Sequence, residues 1–349
     1  MVAVQGVGAE GAGSPWAPWC SDVRFGVRSP LPGSSASAIL AIQSMTQGYL
    51  MIKVRRISHA TFETPDLQRQ IDYYTGVVGL VMLAKENDRV LFASRLGDLS
   101  VILTAGTTPK LTKIAFQVAP HDDLSSLATA LGNDGIRASI DTVSLPGIDR
   151  LLTFADPKGT IVEIFNEASA AAPVSQPAAV GPMKLGHIAF MMPDIHPFVK
   201  FYQEVLGFRV SDWQEDFFCF MRCGADHHTI NFATGKSTRM HHMAFELKDW
   251  SHVQTACDHL GKKQVPIIWG PGRHGISHNI FIYHRDPDDQ MIEFYTEMDQ
   301  MLDEELGYFD PRPWHKDRPQ RPKVWDRQSA ALIWGPPQGP DHARQRNIE

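Results

Sequence analysis

The sequence predicts an α+β protein with four β-α-β-β-β modules arranged as two tandem halves. Strand-like apolar runs and amphipathic helical runs alternate from residue 51 to residue 300. The second half of this region repeats the pattern of the first half, and an Ala/Pro/Ser-rich run at 167–182 separates the two. Because a regular internal repeat indicates one structural unit used more than once, we expect two modules in each half.

The elements of the first half follow one another in the order that such modules require. The run from Lys53 predicts a strand, then a turn at Pro65–Asp66 and an amphipathic helix that ends near Gly79. The runs VLFASR, LSVILTAG and LTKIAFQVAP predict further strands, and LSSLATALGNDGI predicts a second helix. LLTFADPKGTIVEIFNE predicts a hairpin that turns at Pro157–Gly159.

The second half repeats these runs in register. KLGHIAFMMPDIHPFVKFYQEVLGF matches KVRRISHATFETPDLQRQIDYYTGVVGL, with His187 standing 128 residues after His59. MHHMAFEL then matches LTKIAFQV, and DPDDQMIEFYTE matches DPKGTIVEIFNE. The two halves should therefore share one topology.

Composition divides the chain into five segments. A Gly/Ala/Ser/Pro-rich start without periodicity predicts a disordered extension, and the Ala/Pro/Ser-rich run predicts a linker. The predicted segments are the extension 1–50, a structural domain 51–166, a linker 167–182, a metal-bearing domain 183–300 and an arm 301–349. Prolines and aromatics in the arm suit a segment that covers the cavity or packs on a neighbouring subunit, with the last 15 or so residues expected to be solvated.

Bulk composition excludes several classes of function. The 349 residues are 43% apolar and 21% charged, with a net charge of −6, so neither nucleic acid nor an anionic membrane is an expected partner. The four cysteines include no CxxC pair, which argues against a zinc ribbon or a disulfide framework and fits a reducing cytoplasm. No run approaches the roughly 18 apolar residues that span a bilayer.

Histidines are concentrated in one part of the chain. Eleven of the 15 lie between His187 and His284. An adventitious metal-binding or pH-sensing surface is the alternative explanation for this concentration. Within this region, His187, His242 and Glu293 each stand between apolar residues of a predicted strand, 55 and 51 residues apart. Two imidazoles and one carboxylate on one face of a metal suit Fe(II) and leave other positions open for ligands.

The first half differs at the middle position of this set. It has His59, Lys113 and Glu163 at the matching places. An ammonium group cannot bind a divalent cation without losing its proton, and its charge repels the metal. We therefore expect the first half to be structural and metal-free.

The second half resembles the type I extradiol catechol dioxygenases of the vicinal oxygen chelate, or glyoxalase-like, superfamily. RMHHMAF, GPGRHG and the run from Tyr283 through DP to Glu293 carry the resemblance, which covers about residues 53–300. It implies two tandem glyoxalase-like domains with the metal cavity in the second. It also implies Fe(II), with Mn(II) in some relatives, as the metal that binds a catechol and O2 and yields a ring-opened semialdehyde. Relatives are usually homo-oligomers, so a homo-oligomer is expected.

The resemblance also assigns roles to single residues. It makes His187, His242 and Glu293 the metal ligands, and places His228, His274 and Tyr283 around them as catalytic groups. A tyrosine hydroxyl and an imidazole can hold a deprotonated catechol by hydrogen bonds, and a further imidazole can stabilise charge on oxygen and later deliver a proton. His228 is the candidate for that further imidazole.

Two histidine pairs leave a choice open. Alignment favours His228 over His227 and His242 over His241. Strand alternation would then turn the side chain of His241 to the opposite face. His278 and His284 have no assigned role and are expected at the cleft rim or surface.

The substrate pocket is predicted to be apolar. Relatives that cleave a carboxylated catechol carry an arginine where this chain has Trp269 and an asparagine where it has Ala189. These differences favour an alkyl- or aryl-substituted catechol without a carboxylate. For Tyr295, simple core packing is the alternative role. The residues predicted to line the pocket are Trp269, Ala189, Phe190, Met192, Phe281 and Tyr295.

Two other functions fit the same scaffold. One is a metal-dependent glyoxalase-like lyase or isomerase, in which the metal polarises a carbonyl oxygen. Such sites generally use a fourth protein ligand and a carboxylate base. The other is a non-catalytic protein that binds an aromatic compound. Oxygen consumption with catechols separates the dioxygenase from both, since fold alone does not decide function.

Overall fold

The first half of the chain folds into one mixed sheet of eight strands. Its strands are β1 (Arg56–Thr64), β2 (Val81–Lys85), β3 (Arg89–Ala93), β4 (Leu99–Ala105), β5 (Lys110–Gln117), β6 (Ala138–Leu145), β7 (Ile148–Ala155) and β8 (Ile161–Phe165). They lie in the order β2-β3-β4-β1-β5-β8-β7-β6. β1 is parallel to β4 and β5 is parallel to β8, whereas β1 and β5 are antiparallel at the centre. Two four-stranded modules are thus joined edge to edge.

The structure is a computed structural model that describes residues 52–86, 88–168, 170–173, 179–310 and 320–345. The predicted extension 1–50 lies outside the described residues, and the predicted linker 167–182 and arm 301–349 are described only in part. The predicted bounds of all five segments stay predictions.

The second half forms a nine-stranded sheet with the same topology. Its strands are β9 (Lys184–Met192), β10 (Arg209–Gln214), β11 (Phe218–Arg222), β12 (Ile230–Thr234), β13 (Arg239–Glu246), β14 (Trp269–Arg273), β15 (Ile280–Arg285), β16 (Met291–Thr296) and β17 (Val324–Trp325). The order is β14-β15-β16-β13-β9-β12-β11-β10-β17. β9 is parallel to β12, β13 is parallel to β16, and β9 and β13 are antiparallel at the centre.

A helix follows the first strand of every module. The helices are α1 (Leu67–Tyr73), α2 (Leu124–Asn133), α3 (His196–Glu204), α4 (Trp250–Lys262), α5 (Arg327–Ala331) and α6 (Pro340–Arg344). Asp66, Asp123 and Asp249 begin α1, α2 and α4 as side-chain caps. The predicted α+β fold of four β-α-β-β-β modules in two tandem glyoxalase-like domains is confirmed.

A π-helical turn, Tyr74–Val78, extends α1 to Gly79. Gly79 has φ +81°, and a Cβ there would lie 2.6 Å from the backbone nitrogen of Gly181. Glycine is therefore needed both for the left-handed conformation and for the close approach of the returning chain.

The main apolar core contains residues from both sheets. In β9, the side chains of Ile188, Phe190 and Met192 are buried in this core, and His187 and Ala189 lie on the opposite face of the strand. The prediction that Phe190 and Met192 line the substrate pocket is therefore wrong, since strand alternation turns them away from His187.

The carboxyl-terminal arm packs against the second sheet. β17 pairs with β10 in parallel, and α6 is followed by Gln345, which is only 2% exposed. Of the described part of the last 15 or so residues, residues 335–345, His342 and Gln345 are buried and most of the others are exposed, so the expected solvated tail is anchored at these two side chains. Among the described helices, none has the length and apolar character needed to cross a membrane.

Candidate metal centre and active site

Three strands bring the predicted metal ligands to one point. His187 lies on β9, His242 on β13 and Glu293 on β16, and these three strands are neighbours in the second sheet. The Nε2 atoms of the two histidines are 3.1 Å apart, and each lies 3.2 Å from Oε2 of Glu293. All three side chains are buried.

The geometry of this cluster fits a divalent metal. Three ligands at right angles and about 2.2 Å from an ion would be about 3.1 Å apart, which agrees with the separations found here. A carboxylate with two imidazole nitrogens is also the donor set of non-haem Fe(II) oxygenases. The residues present therefore fit a metal held on one face.

Electrostatics around the cluster support the same conclusion. Burial disfavours the charged form of Glu293, but hydrogen bonds from His187 and His242 outweigh it and hold the pKa of this carboxyl well below its usual value. Burial lowers the pKa of His187, which favours the neutral, metal-binding imidazole.

A β-bulge next to His242 changes the position of its neighbour. The pairing of β13 with β9 shifts register between Met240 and His242. His241 consequently lines the same cavity as His242, and the Nδ1 atoms of the two rings are 2.7 Å apart. The prediction that the side chain of His241 points to the opposite face is therefore wrong.

Asn279 is a functional candidate that the sequence did not reveal. Its Nδ2 donates a 3.0 Å hydrogen bond to Oε1 of Glu293, the carboxylate oxygen that faces away from the two histidines. The Ser277 hydroxyl lies 2.5 Å from Asn279 Oδ1 and fixes the orientation of the amide. Such outer contacts orient metal ligands.

A cavity of about 140 Å³ opens next to the three ligands. Strands of the second sheet, the loops between them and the carboxyl-terminal arm form the wall of this cavity. The lining residues are His187, Gln214, Phe218, Phe220, His228, Asn231, His241, His242, Trp269, His274, Ile276, Ser277, Asn279, Tyr283, Glu293, Arg327, Ala330, Ala331, Gln338 and His342. All three predicted catalytic side chains are among them.

The cavity wall distinguishes between the two adjacent histidines 227 and 228. The ring of His228 lies 4.3 Å from the ring of His187, centroid to centroid, and lines the cavity. His227 lies behind it, with Nε2 2.9 Å from Oδ2 of Asp212. Burial and the neighbouring His187 lower the pKa of His228 well below its usual value, so this imidazole is neutral at neutral pH.

His274 and Tyr283 form a second pair on the wall. Nε2 of His274 lies 3.3 Å from the hydroxyl of Tyr283, and its Nδ1 lies 2.9 Å from the carbonyl oxygen of Ala331. Burial lowers the pKa of His274 to about 4. Burial, and then the charge of Glu293, raise the pKa of Tyr283 well above 10, so its hydroxyl keeps its proton.

The remaining predicted pocket residues lie at different distances from the cavity. Trp269 lines it and stacks on Tyr283 with ring centroids 5.4 Å apart. Phe281 lies behind His274, with centroids 3.9 Å apart. Tyr295 packs 5.1 Å from the ring of His187, and Ala189 is a buried neighbour of His242 on the sheet. Phe281, Tyr295 and Ala189 thus support the ligands and the wall from behind.

Gly186 leaves room for Tyr295. A Cβ at position 186 would lie 1.9 Å from the Tyr295 hydroxyl, so the tyrosine fills the space that a larger residue would need. This contact explains the glycine that precedes the first ligand histidine.

Two histidines without an assigned role are buried. His278 lies 2.5 Å from Asp299 through Nδ1, and His284 lies 2.8 Å from the hydroxyl of Tyr73 through Nε2. The expectation that His278 and His284 lie at the cleft rim or surface is wrong. The second contact joins α1 of the first half to β15 of the second.

The first sheet places a lysine where the second has a ligand. Lys113 pairs with Thr61 of β1 just as His242 pairs with Ala189 of β9. Its Nζ lies 2.9 Å from Oε1 of Glu163, and Nε2 of His59 lies 3.5 Å from Oε2 of the same carboxylate. An ammonium group thus supplies positive charge to the carboxylate in the first sheet.

Comparisons with known proteins agree with this description. Residues 184–294 match the model of the Glyoxalase/Bleomycin resistance protein/Dioxygenase superfamily. A biphenyl-2,3-diol 1,2-dioxygenase of Paraburkholderia xenovorans (strain LB400) is 26% identical over 315 residues, which cover 85% of this chain and 99% of that protein. An iron-dependent extradiol dioxygenase of Rhodococcus jostii (strain RHA1) is 23% identical over 278 residues, covering 72% and 92%.

A solved structure shows the same fold. It is the anaerobic complex of homoprotocatechuate 2,3-dioxygenase from Brevibacterium fuscum with 3,4-dihydroxyphenylacetate. The TM-score is 0.71 at 26% identity, and the match covers 84% of this chain and 92% of that one.

Four β-α-β-β-β modules with a two-histidine, one-carboxylate centre in the second half define a metalloenzyme of the glyoxalase-like fold. Residues 184–294, which contain this centre, carry the match to the Glyoxalase/Bleomycin resistance protein/Dioxygenase superfamily. The relatives that align over most of the chain's length make it an extradiol ring-cleaving dioxygenase of aromatic catabolism, an oxidoreductase that acts on catechols with O2.

Proposed function

We propose that this chain binds one Fe(II) ion through His187, His242 and Glu293 and opens a catechol that carries no carboxylate. The observation that carries the proposal is the convergence of these three ligands beside a ring-sized cavity. The donor set also suits Mn(II). Iron is favoured because facial two-histidine, one-carboxylate sites are those of Fe(II) oxygenases, and because the Rhodococcus relative is named as iron-dependent.

The ion, when bound, supplies a Lewis acid that lowers the pKa of the catechol hydroxyls. The protein then manages protons and orientation. The neutral imidazole of His228 accepts a hydroxyl proton and returns it after ring opening. The Tyr283 hydroxyl, which keeps its own proton, donates a hydrogen bond to the deprotonated oxygen. His274 holds Tyr283 in place.

The cavity sets the size and polarity of the substrate. An apolar cavity of about 150 Å³ is known to hold one benzene ring, so about 140 Å³ fits a single catechol ring. Trp269, Phe218 and Phe220 provide aromatic wall. Arg327 is a cation on the wall, but it contacts Glu215 at 3.3 Å and the ring of Phe217. Its charge is thus already paired, which favours a substrate without a carboxylate.

Oxygen uptake on a substrate panel tests this function. Protein loaded anaerobically with Fe(II) is given catechol, 3-methylcatechol, 4-methylcatechol and 3,4-dihydroxyphenylacetate, and an oxygen electrode and visible absorbance follow the reaction. We expect uptake of one O2 per catechol and a yellow semialdehyde with the first three compounds. E293Q, which keeps the shape of the ligand, should lose the activity.

The outcomes separate the alternatives. Absence of oxygen uptake with the whole panel from iron-loaded protein would reject the ring-cleaving function. It would leave a glyoxalase-like lyase or a binding protein as the remaining choices. Preference for 3,4-dihydroxyphenylacetate that disappears in R327A would reject only the substrate class, since it would show that Arg327 binds a carboxylate.

A further inference from the structure

A buried chain of hydrogen bonds leads from the cavity to the carboxyl-terminal arm. Nδ1 of His228 lies 3.1 Å from Nδ1 of His227, whose Nε2 lies 2.9 Å from Oδ2 of Asp212. The exposed fractions of His228, His227 and Asp212 are 3%, 0% and 1%. Each contact is therefore shielded from competing water.

The arm, here residues 320–345, supplies two further contacts to Asp212. The backbone nitrogen of Lys323 donates to Oδ1 at 2.6 Å, and Nε1 of Trp325 donates to Oδ2 at 2.9 Å. A backbone N–H and an indole N–H can only donate. Asp212 is thus an ionised acceptor of three hydrogen bonds, and Nε2 of His227 must carry the hydrogen that faces it.

This arrangement determines the tautomer of His228. A neutral imidazole has one N–H and one acceptor nitrogen. Because Nε2 of His227 carries the hydrogen, Nδ1 of His227 is the acceptor, and Nδ1 of His228 must donate to it. Nε2 of His228 is then the bare nitrogen on the cavity side.

The arm fixes the other cavity imidazole directly. The carbonyl oxygen of Ala331 can only accept, so Nδ1 of His274, 2.9 Å away, carries the hydrogen. Nε2 of His274 is therefore an acceptor, and the hydroxyl of Tyr283 at 3.3 Å can donate to it until a substrate oxygen takes that hydrogen bond. Both histidines consequently carry no hydrogen on Nε2, the nitrogen that each turns towards the cavity.

We propose that the carboxyl-terminal arm sets the tautomers of the two cavity imidazoles, with Asp212 and His227 acting as positioning residues for His228. This proposal rests on the proposed function, because a bare Nε2 matters only if a substrate hydroxyl meets it. Docking of the arm therefore completes both the wall of the cavity and its proton acceptors.

Imidazole nitrogen NMR on the metal-free protein tests the proposal. Protein labelled with ¹⁵N-histidine reports which ring nitrogen carries hydrogen, and H228Q and H274Q assign the two signals by their loss. We expect the Nδ1–H form for both rings in the wild type. In D212N/W325F, the amide oxygen can accept from the Lys323 N–H while the amide nitrogen donates to His227 Nε2 without facing the indole N–H of Trp325. This reverses the two hydrogen bonds of His227 and gives His228 the Nε2–H form. His274 should keep its tautomer.

A milder variant and an activity readout extend the test. W325F alone removes one donor to Asp212 but leaves the carboxylate as the acceptor of the His227 Nε2–H, and should keep the wild-type tautomer of His228. W250F, at an exposed tryptophan of α4, is the matched control and should match the wild type. In the iron-loaded enzyme, D212N/W325F should lower kcat about 10–100-fold with little change in KM.

The NMR result is independent of catalysis. A wild-type tautomer of His228 in folded D212N/W325F, shown by an unchanged far-ultraviolet circular dichroism spectrum, would overturn the proposal even if the enzyme cleaves catechols. The predicted change of tautomer in a protein that consumes no oxygen would instead reject the proposed function.

Discussion

The hydrogen bond from Asn279 to Glu293 is predicted to strengthen metal binding. Replacing Asn279 with alanine removes a donor to Oε1 of a buried carboxylate, at 3.0 Å. Hydrogen bonds to charged groups contribute about 1.5–3 kcal/mol. Removing an outer partner of a metal ligand costs about 10–100-fold in affinity, which agrees with that range. We therefore expect the dissociation constant for Fe(II) or Co(II) to rise about 10–100-fold in N279A.

An anaerobic competition titration against a coloured chelator measures this change. S277A, which removes the partner that orients the Asn279 amide, should weaken binding in the same direction but less. N166A is the matched control, because Asn166 also donates through Nδ2 but to the carbonyl oxygen of Asp122 in the first half. Wild-type affinity in folded N279A would refute the idea that this amide positions the ligand.

Two further predictions concern the pseudo-symmetry of the halves. Burial lowers the pKa of His284 to about 3. The neutral imidazole therefore stabilises the fold above about pH 6.5, and this stabilisation is lost as the pH falls towards 3. At pH 5 the loss in the free energy of unfolding is about 2 kcal/mol. Y73F/H284F copies the symmetry-related Phe154–Phe201 ring pair, which also joins the first half to the second. It should therefore show a smaller drop in urea midpoint between pH 7 and pH 5 than the wild type, and an equal drop would refute the assignment. Separately, K113H should complete a second two-histidine, one-carboxylate donor set with His59 and Glu163. Elemental analysis should then find two metal ions per chain instead of one. A folded K113H with a single ion would refute the equivalence of the two sheets.

The fold and the metal ligands could be predicted because the repeat carries their register. His187 and His242 stand at matching places of two repeated strand patterns, and Glu293 closes the final hairpin. Each choice depended only on spacing and alternation, which strands preserve. The same alternation could have excluded Phe190, since it is an odd number of residues from His187.

Other features depend on backbone irregularity that the sequence does not show. The bulge beside His242 brings His241 into the cavity, and no residue type in that run marks it. Asn279 reaches Glu293 from a turn in which Ser277 and His278 have positive φ angles of 60° and 55°. The arm lacks a clear period, so its contacts to Asp212 and His274 could not be predicted.

Metal stoichiometry tests the central claim most directly. Metal-free protein is titrated anaerobically with Fe(II), and bound iron is counted after desalting for the wild type and for H187A, H242A and E293A. The account predicts one tightly bound ion per wild-type chain and its loss in all three variants. Wild-type protein that retains no iron, or single variants that each retain a full equivalent, would contradict it.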